Sequence, residues 1–282
     1  MLEAPRSGRS GPRPVTLDAM SDPAHAIDRA GVRALFDLTG RVAVVTGGTR
    51  GIGLAIAQGF VAAGAKVVVA SRKADACRDV AAALTSGGGE AIGVATHLGD
   101  LDAGKALVAA TVERFGRLDI LVNNAATALT EPVGAFTPEA WEKVYDVNLR
   151  GPVFLAQEAL PHLDASPCAS IVNVISAGAF LFSVPTAMYS GAKAALMSLT
   201  RSMAAGLAPR GIRVNALAPG TVDTDMVRNN TPEAVERMAQ SSLMKRMASP
   251  DEMVGPALFL ASDASSFMTG QVLIVDGGLT PH

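Results

Sequence analysis

The chain has 282 residues, is 49% hydrophobic and carries a formal net charge of −2. That length gives one large α/β domain or two small ones, each able to bury a sizeable core, and the near-neutral charge offers no basic field for nucleic acid and no polybasic membrane patch. Cys77 and Cys168 are too few for a disulfide framework and stand in no zinc spacing, so no metal is expected and a reducing, cytoplasmic setting is the default; no apolar run reaches the roughly 18 residues of a membrane span, and no apolar signal core is present.

Residues 1 to 36 are first Pro, Gly, Arg and Ser-rich, then polar and Ala-rich. They read as a flexible extension with a short helix near 26–36, and Met20 is an alternative start. Regular structure is expected from 37 to 282. Apolar runs recur at 42–45, 67–70, 91–95, 118–122, 171–175, 212–217 and 272–275, with helix-length amphipathic segments between them. Seven strands, each apolar on both faces and alternating with helices, predict a single doubly wound Rossmann-type domain with a seven-stranded parallel sheet.

The first strand runs into Thr46-Gly47-Gly48-Thr49-Arg50-Gly51-Ile52-Gly53, and a helix follows. Glycines at 47, 51 and 53 let the backbone turn sharply, approach a pyrophosphate and pack helix against strand, while the helix N-terminus supplies N–H groups and positive dipole. The spacing is G-x-x-x-G-x-G, and on its own it also suits an ordinary glycine turn. At the tip of the second strand stand Ser71 and Arg72. A carboxylate there accepts from a ribose 2′-hydroxyl, whereas a cation matches a 2′-phosphate. With Arg50 in the glycine loop, NADP(H) is the preferred reading and NAD(H) the lesser one.

The fourth strand ends in Asn123-Asn124-Ala125-Ala126, at the carboxyl edge where such sheets bind ligands. A long helical segment from Pro138 to about Leu163 contains Gly151-Pro152. Pro152 has no N–H for the carbonyl of Asn148, so one kinked helix with a free acceptor, or two separate helices, fits equally well. The fifth strand delivers Ser176. Tyr189 and Lys193 then stack at i, i+4 on one helical face, where an ammonium beside a phenol suits proton transfer to or from an alcohol oxygen. After the sixth strand come Pro219, Gly220, Val222 and Thr224, and a segment to about Ser249 carrying Met226, Met238, Met244 and Met247. That segment reads as a substrate lid or as core filler.

Taken together, T-G-G-T-R-G-I-G at 46–53, N-N-A-A at 123–126, Asn148, Ser176, Y-x-x-x-K at 189 and 193, P-G at 219–220 and D-G-G at 276–278 resemble the short-chain dehydrogenase/reductase family. The resemblance implies that Ser176 holds the substrate oxygen and Tyr189 transfers its proton. Lys193 would bind the nicotinamide ribose and lower the tyrosine pKa, and Asn148 would hold a water linking Lys193 to solvent. It also implies cofactor contacts at Gly47, Thr49, Arg50, Gly51, Ile52, Gly53, Ser71, Arg72, Leu98, Asn124, Ala125, Tyr189, Lys193, Pro219, Gly220, Val222 and Thr224. A homotetramer is expected, pairing the helices at 138–163 and 189–208, the latter through Leu196, Leu199 and Met203. Ala126 replaces a glycine, and His97-Leu98 stands where the family has Asp-Val beside the adenine.

The expected function is an NADP(H)-dependent oxidoreductase interconverting a carbonyl and a secondary alcohol of a small, apolar substrate. One rival is a 3-oxoacyl-[acyl-carrier-protein] reductase, against which Leu129 stands where such enzymes carry a basic residue. The other is a catalytically silent NADP(H)-binding regulatory protein, which has no need to keep Asn148, Ser176, Tyr189 and Lys193 together.

Overall fold

A computed structural model describes residues 27–280. Met20 and most of the expected extension lie outside the described residues. The sheet contains β1 (Val42–Thr46), β2 (Lys66–Ser71), β3 (Glu90–Ala95), β4 (Ile120–Asn123), β5 (Ser170–Val174), β6 (Arg213–Pro219) and β7 (Val272–Val275). Its order is β3-β2-β1-β4-β5-β6-β7 and every pairing is parallel. All seven expected strands are present within two residues of their expected bounds. The helices are α1 (Arg29–Ala34), α2 (Gly51–Ala62), α3 (Ala74–Ser86), α4 (Leu101–Phe115), α5 (Pro138–Tyr145), α6 (Gly151–Ala165), α7 (Ala187–Leu207), α8 (Asp225–Arg228), α9 (Pro232–Gln240) and α10 (Val254–Ala261).

Alternate residues of each strand point to opposite faces, and both faces are covered. Val45, Val67, Ile120 and Val172 pack with Ile56 and Phe60 of α2 and Leu260 of α10. Val44, Val68, Leu121 and Ile171 pack on the other side with Leu107 of α4, Leu155 and Leu163 of α6 and Leu207 of α7. The chain leaves β1 in one direction for β2 and β3 and returns on the other side as β4. A crevice therefore opens between β1 and β4 at the carboxyl ends of the strands.

The opposite edge of the sheet is pinned by one carboxylate. Asp119, wholly buried, accepts from the Val42 amide at 2.9 Å, from Arg117 Nε at 2.8 Å and from Ser166 Oγ at 2.5 Å. Its own amide donates to the Val42 carbonyl, and its carbonyl accepts from the Ser170 amide. One residue thus joins the starts of β1, β4 and β5. A buried charge is stable only when hydrogen-bonded and paired, and here both conditions are met.

Two expectations need correction. The stretch 138–165 is one rod: α5 passes through a π turn (Asp146–Arg150) directly into α6, with right-handed helical backbone at both Tyr145 and Gly151. The wider turn accommodates a proline that cannot donate, and Pro152 takes a first-turn position of α6. At the start of the fold, none of α1 is buried, yet the Leu35 carbonyl accepts from the Ala264 amide at 2.9 Å, so docking begins just before the expected boundary at residue 37.

Candidate active site

The crevice is a cleft of about 930 Å³ over the carboxyl ends of β1, β2, β4, β5 and β6. The glycine loop forms its floor, and close approach rather than flexibility explains its composition. A Cβ on Gly53 would lie 2.2 Å from the Gly47 carbonyl oxygen and 2.4 Å from Asn124 Nδ2, and one on Gly47 would lie 2.9 Å from Ala125 Cα. Gly47 and Gly51 also have φ of +65° and +52°, which favours glycine. Asn124 holds the loop down: its Nδ2 donates to the Thr46 carbonyl at 2.8 Å, and the Thr46 hydroxyl accepts the amides of Asn124 and Ala125 at 3.0 Å each. Thr46 was missed as a site residue, although a hydroxyl at the strand end just before the glycines was the signal for it.

Asn123 has a different job from its neighbour. Its Nδ2 donates to Asn173 Oδ1, whose amide donates to the Thr200 hydroxyl of α7, both at 2.9 Å. This buried polar chain fixes α7 against β4 and β5. It thereby sets the position of Tyr189 and Lys193, one turn apart near the start of α7.

Ser176, Tyr189 and Lys193 all face the cleft. The Ser176 hydroxyl accepts from the Gly178 amide at 3.1 Å. Lys193 is buried; its Nζ donates to the Val174 carbonyl at 2.8 Å and lies 5.8 Å from the Tyr189 ring centroid. Burial pushes the Tyr189 phenol above its ordinary range, and the neighbouring Ser176 side chain pulls part of the way back. Burial also draws the Lys193 ammonium down to about 7. In the protein alone, desolvation thus moves both groups toward their neutral forms.

Asn148 does not line the cleft. It is fully buried behind the wall, donating to the carbonyls of Thr127 at 2.7 Å and Val144 at 2.8 Å and accepting from the Thr127 amide at 3.2 Å. The side chain thus ties the π turn to the loop after β4.

Of the expected cofactor contacts, Gly47, Thr49, Arg50, Gly51, Ile52, Gly53, Ser71, Arg72, Leu98, Asn124, Ala125, Pro219 and Thr224 line the cleft. Gly220 and Val222 do not: Gly220 packs on Asp276, and Val222 is buried in a bridge to Ala248. Thr49 Oγ1 donates to Ser71 Oγ at 3.1 Å, joining the glycine loop to the β2 tip. Arg72 and Lys73 line that end with no ion pair among the described residues. Arg50 is paired, its guanidinium 3.0 Å from Asp225, a partner no spacing announces. His97 closes a turn by accepting the Gly99 amide on Nδ1 at 3.1 Å, a task a carboxylate would also perform. Lys143 and Asn230 also line the cleft and were not anticipated. Of the methionines, Met226 and Met238 line it too, and Met226 and Met244 are exposed, so these three are not core filler.

A nicotinamide dinucleotide suits these residues: a glycine floor that any Cβ would fill, N–H groups at the start of α2, free cations at the β2 tip, and a hydroxyl pair beside a buried lysine. Fold and site together define a dinucleotide-binding oxidoreductase. A family model described as Enoyl-(Acyl carrier protein) reductase matches residues 47–280. The chain is 41% identical over 241 residues to the cis-4-hydroxycyclohexanecarboxylate dehydrogenase of Sinomonas cyclohexanicum, covering 85% of this chain and 96% of that protein. It is 38% identical over 247 residues to the probable galactose dehydrogenase GalD of Rhizobium meliloti, covering 86% and 96%. The crystal structure of a gluconate 5-dehydrogenase from Burkholderia cenocepacia in complex with NADP and tartrate is similar with a TM-score of 0.85 and 35% identity, over 89% of this chain and 99% of that one. The chain belongs to the short-chain dehydrogenase/reductase family of oxidoreductases.

Proposed function

We propose that the protein interconverts a carbonyl and a secondary alcohol on a small substrate and prefers NADP(H). The observation that carries this is the meeting of Ser176, Tyr189 and Lys193 in one cleft, with Lys193 one turn further along α7 and its Nζ on the Val174 carbonyl at 2.8 Å. The substrate oxygen sits between the two hydroxyls. Tyr189 gives it a proton in reduction and takes the proton back in oxidation, while Ser176 donates a second hydrogen bond that holds it. The bound nicotinamide supplies or takes the hydride. Lys193 binds the nicotinamide ribose and, with a water at Asn148, carries the proton toward solvent. Gly47, Thr49, Gly51, Ile52 and Gly53 take the phosphates; Leu98, Asn124, Ala125, Pro219 and Thr224 enclose the remainder, with Gly220 and Val222 acting from behind.

The NADP(H) preference rests on Arg72 and the absence of a carboxylate at Ser71. A 2′-phosphate carries nearly two charges, and a charge-assisted bond to arginine is worth about 1.5–3 kcal/mol. That is about tenfold to a hundredfold or more over NAD(H). A small substrate is supported by the relatives named for a hydroxycyclohexanecarboxylate and a sugar, and by Leu129, which packs against the cluster of Ala140, Val144, Met188 and Ala192 instead of presenting a basic group to a carrier protein. The apolar substrate expected from sequence is widened here, since Thr127, Thr130 and Lys143 share the wall with Val147, Met226 and Met238. We also propose a cytoplasmic homotetramer.

The test is a screen of ketones, aldehydes and alcohols followed at the nicotinamide absorbance with both cofactors, on wild type and Tyr189→Phe. The expected result is turnover favouring NADPH, reduced at least about 10³-fold in Tyr189→Phe while NADPH still binds. Near-normal turnover by the variant overturns the mechanism, and a wild type that prefers NADH overturns the cofactor assignment.

A further inference from the structure

The ion pair between Arg50 and Asp225 crosses the cleft. Arg50 occupies the N-cap of α2 in extended backbone and makes no side-chain cap bond there. Asp225 opens α8 in the segment that follows β6. The two elements touch in a second place, since a Cβ on Gly51 would lie 3.0 Å from Thr224 Cγ2. Asp225 is the one acidic residue in the cleft wall among the described residues, against Arg50, Arg72, Lys73, Lys143 and Lys193. A carboxylate thus stands at the mouth of the site meant for phosphate.

Both partners are well exposed, with 71% and 56% of their side-chain surface open. An exposed pair of this kind adds little stability, and its attraction is largely screened. A guanidinium engages a phosphate oxygen pair through charge-assisted, bidentate bonds, and the 2′-phosphate, or the pyrophosphate taken as a whole, carries more charge than one carboxylate. Arg50 therefore has a weak resident partner and, on the NADP(H) reading above, a stronger incoming one.

We propose that Asp225 is an affinity-setting residue for the cofactor: it holds Arg50 in a cleft-facing position in the free protein and yields it to a phosphate of the dinucleotide. The exchange has two consequences. Asp225 weakens cofactor binding, because its ion pair must be broken and its charge then lies within a Debye length of the phosphates. Loading also removes one of the two contacts between α8 and the glycine loop, leaving the one at Gly51 and Thr224, so the segment beside the substrate end of the cleft changes its attachment when the cofactor arrives. The phosphate concerned is either the 2′-phosphate or the pyrophosphate, which share this chemistry.

The test is the dissociation constant of NADPH, NADH and 2′,5′-ADP, by nucleotide fluorescence or calorimetry, for wild type, Asp225→Asn, Asp225→Ser, Arg50→Gln and the double variant Arg50→Gln/Asp225→Asn. Asp225→Asn and Asp225→Ser are expected to tighten NADPH about three- to tenfold. Arg50→Gln weakens it, and in that background Asp225→Asn has little further effect. A gain for NADPH and 2′,5′-ADP but not NADH identifies the 2′-phosphate; an equal gain for NADPH and NADH identifies the pyrophosphate. Unchanged or weaker NADPH binding in both Asp225 variants overturns the proposal, because a merely structural role for Asp225 cannot tighten the ligand. The same gain with and without Arg50 overturns it too, leaving only general charge repulsion. A wild type that binds NADH but not NADPH sinks the 2′-phosphate reading of the site, whereas the Asp225 exchange then stands or falls on the NADH arm.

Discussion

At the scale of single residues, the pair that does the proposed chemistry is poised toward neutrality. Lys193 has a pKa drawn down to about 7 by burial, against an ordinary value of about 10.4. Between those values the unfolded chain binds the proton and the native protein does not, so stability rises with pH across that window. Below pH 7 both states carry the proton, and the native state bears the full penalty of a buried charge. Lys193→Met removes that penalty. Its unfolding free energy relative to wild type, measured without cofactor, is expected to be most favourable near pH 6 and to lose a few kcal/mol of that advantage by pH 9.5. A difference that does not change with pH contradicts the assignment. The Tyr–Lys spacing was visible in the sequence, but the sign of the lysine shift was not: i, i+4 spacing tells which face two groups share and nothing about how little water reaches them. Asn148 was found by resemblance, while its bonds to Thr127 and Val144 depend on a loop and a helix meeting in space.

At the scale of elements, strands and glycine loop were legible because their constraints are local. A strand buried on both faces must be continuously apolar, and a loop that touches Asn124 side chain and its own carbonyls must be glycine. Gly53→Ala tests the second constraint. Its methyl meets backbone oxygen at 2.2 Å, which a flexible side chain could relieve but the Gly47 carbonyl cannot. The expected outcome is a loss of at least about 1–3 kcal/mol of stability in denaturant melts, together with loss of NADPH affinity. A variant that melts like wild type shows that the loop has room it is not thought to have. The rod from 138 to 165 was ambiguous for an equally physical reason. A proline excludes one hydrogen bond but does not choose between a kink, a break and a π turn; the choice falls to Asn148, which must reach Thr127 while α6 packs its Leu155 and Leu163 on the sheet. The segment 221–249 was illegible because its two helices are short, and the contact of Asp225 with Arg50 leaves no periodic trace.

At the scale of the whole molecule, surface left over by the fold bears on assembly. Leu196, expected to face a partner, is spent inside the subunit against Ile175 and Ala218. Trp141 and Phe154, on the two halves of the rod, remain 46% and 44% exposed, and Trp141 stacks on Tyr145 with ring centroids 4.1 Å apart. Aromatic residues are enriched at protein interfaces, so these two side chains are where the proposed tetramer is tested. Light scattering at micromolar concentration is expected to give four subunits, and Trp141→Glu combined with Phe154→Glu to give a smaller species; a wild-type monomer rules the assembly out.

The carboxylate that fastens β1, β4 and β5 at their starting edge has a bearing on how this molecule can change. Stability is anchored at one rim of the sheet by Asp119, Arg117 and Ser166, and chemistry is performed at the other, a strand's length away. Losses at the first rim are felt as unfolding alone, whereas changes at the second, outside closely packed residues such as Gly53 and Lys193, are felt as altered selectivity. Such a scaffold tolerates wholesale replacement of its loops after β4, β5 and β6. New substrate ranges can then accumulate on it without each innovation first having to be rescued by a stabilising change elsewhere.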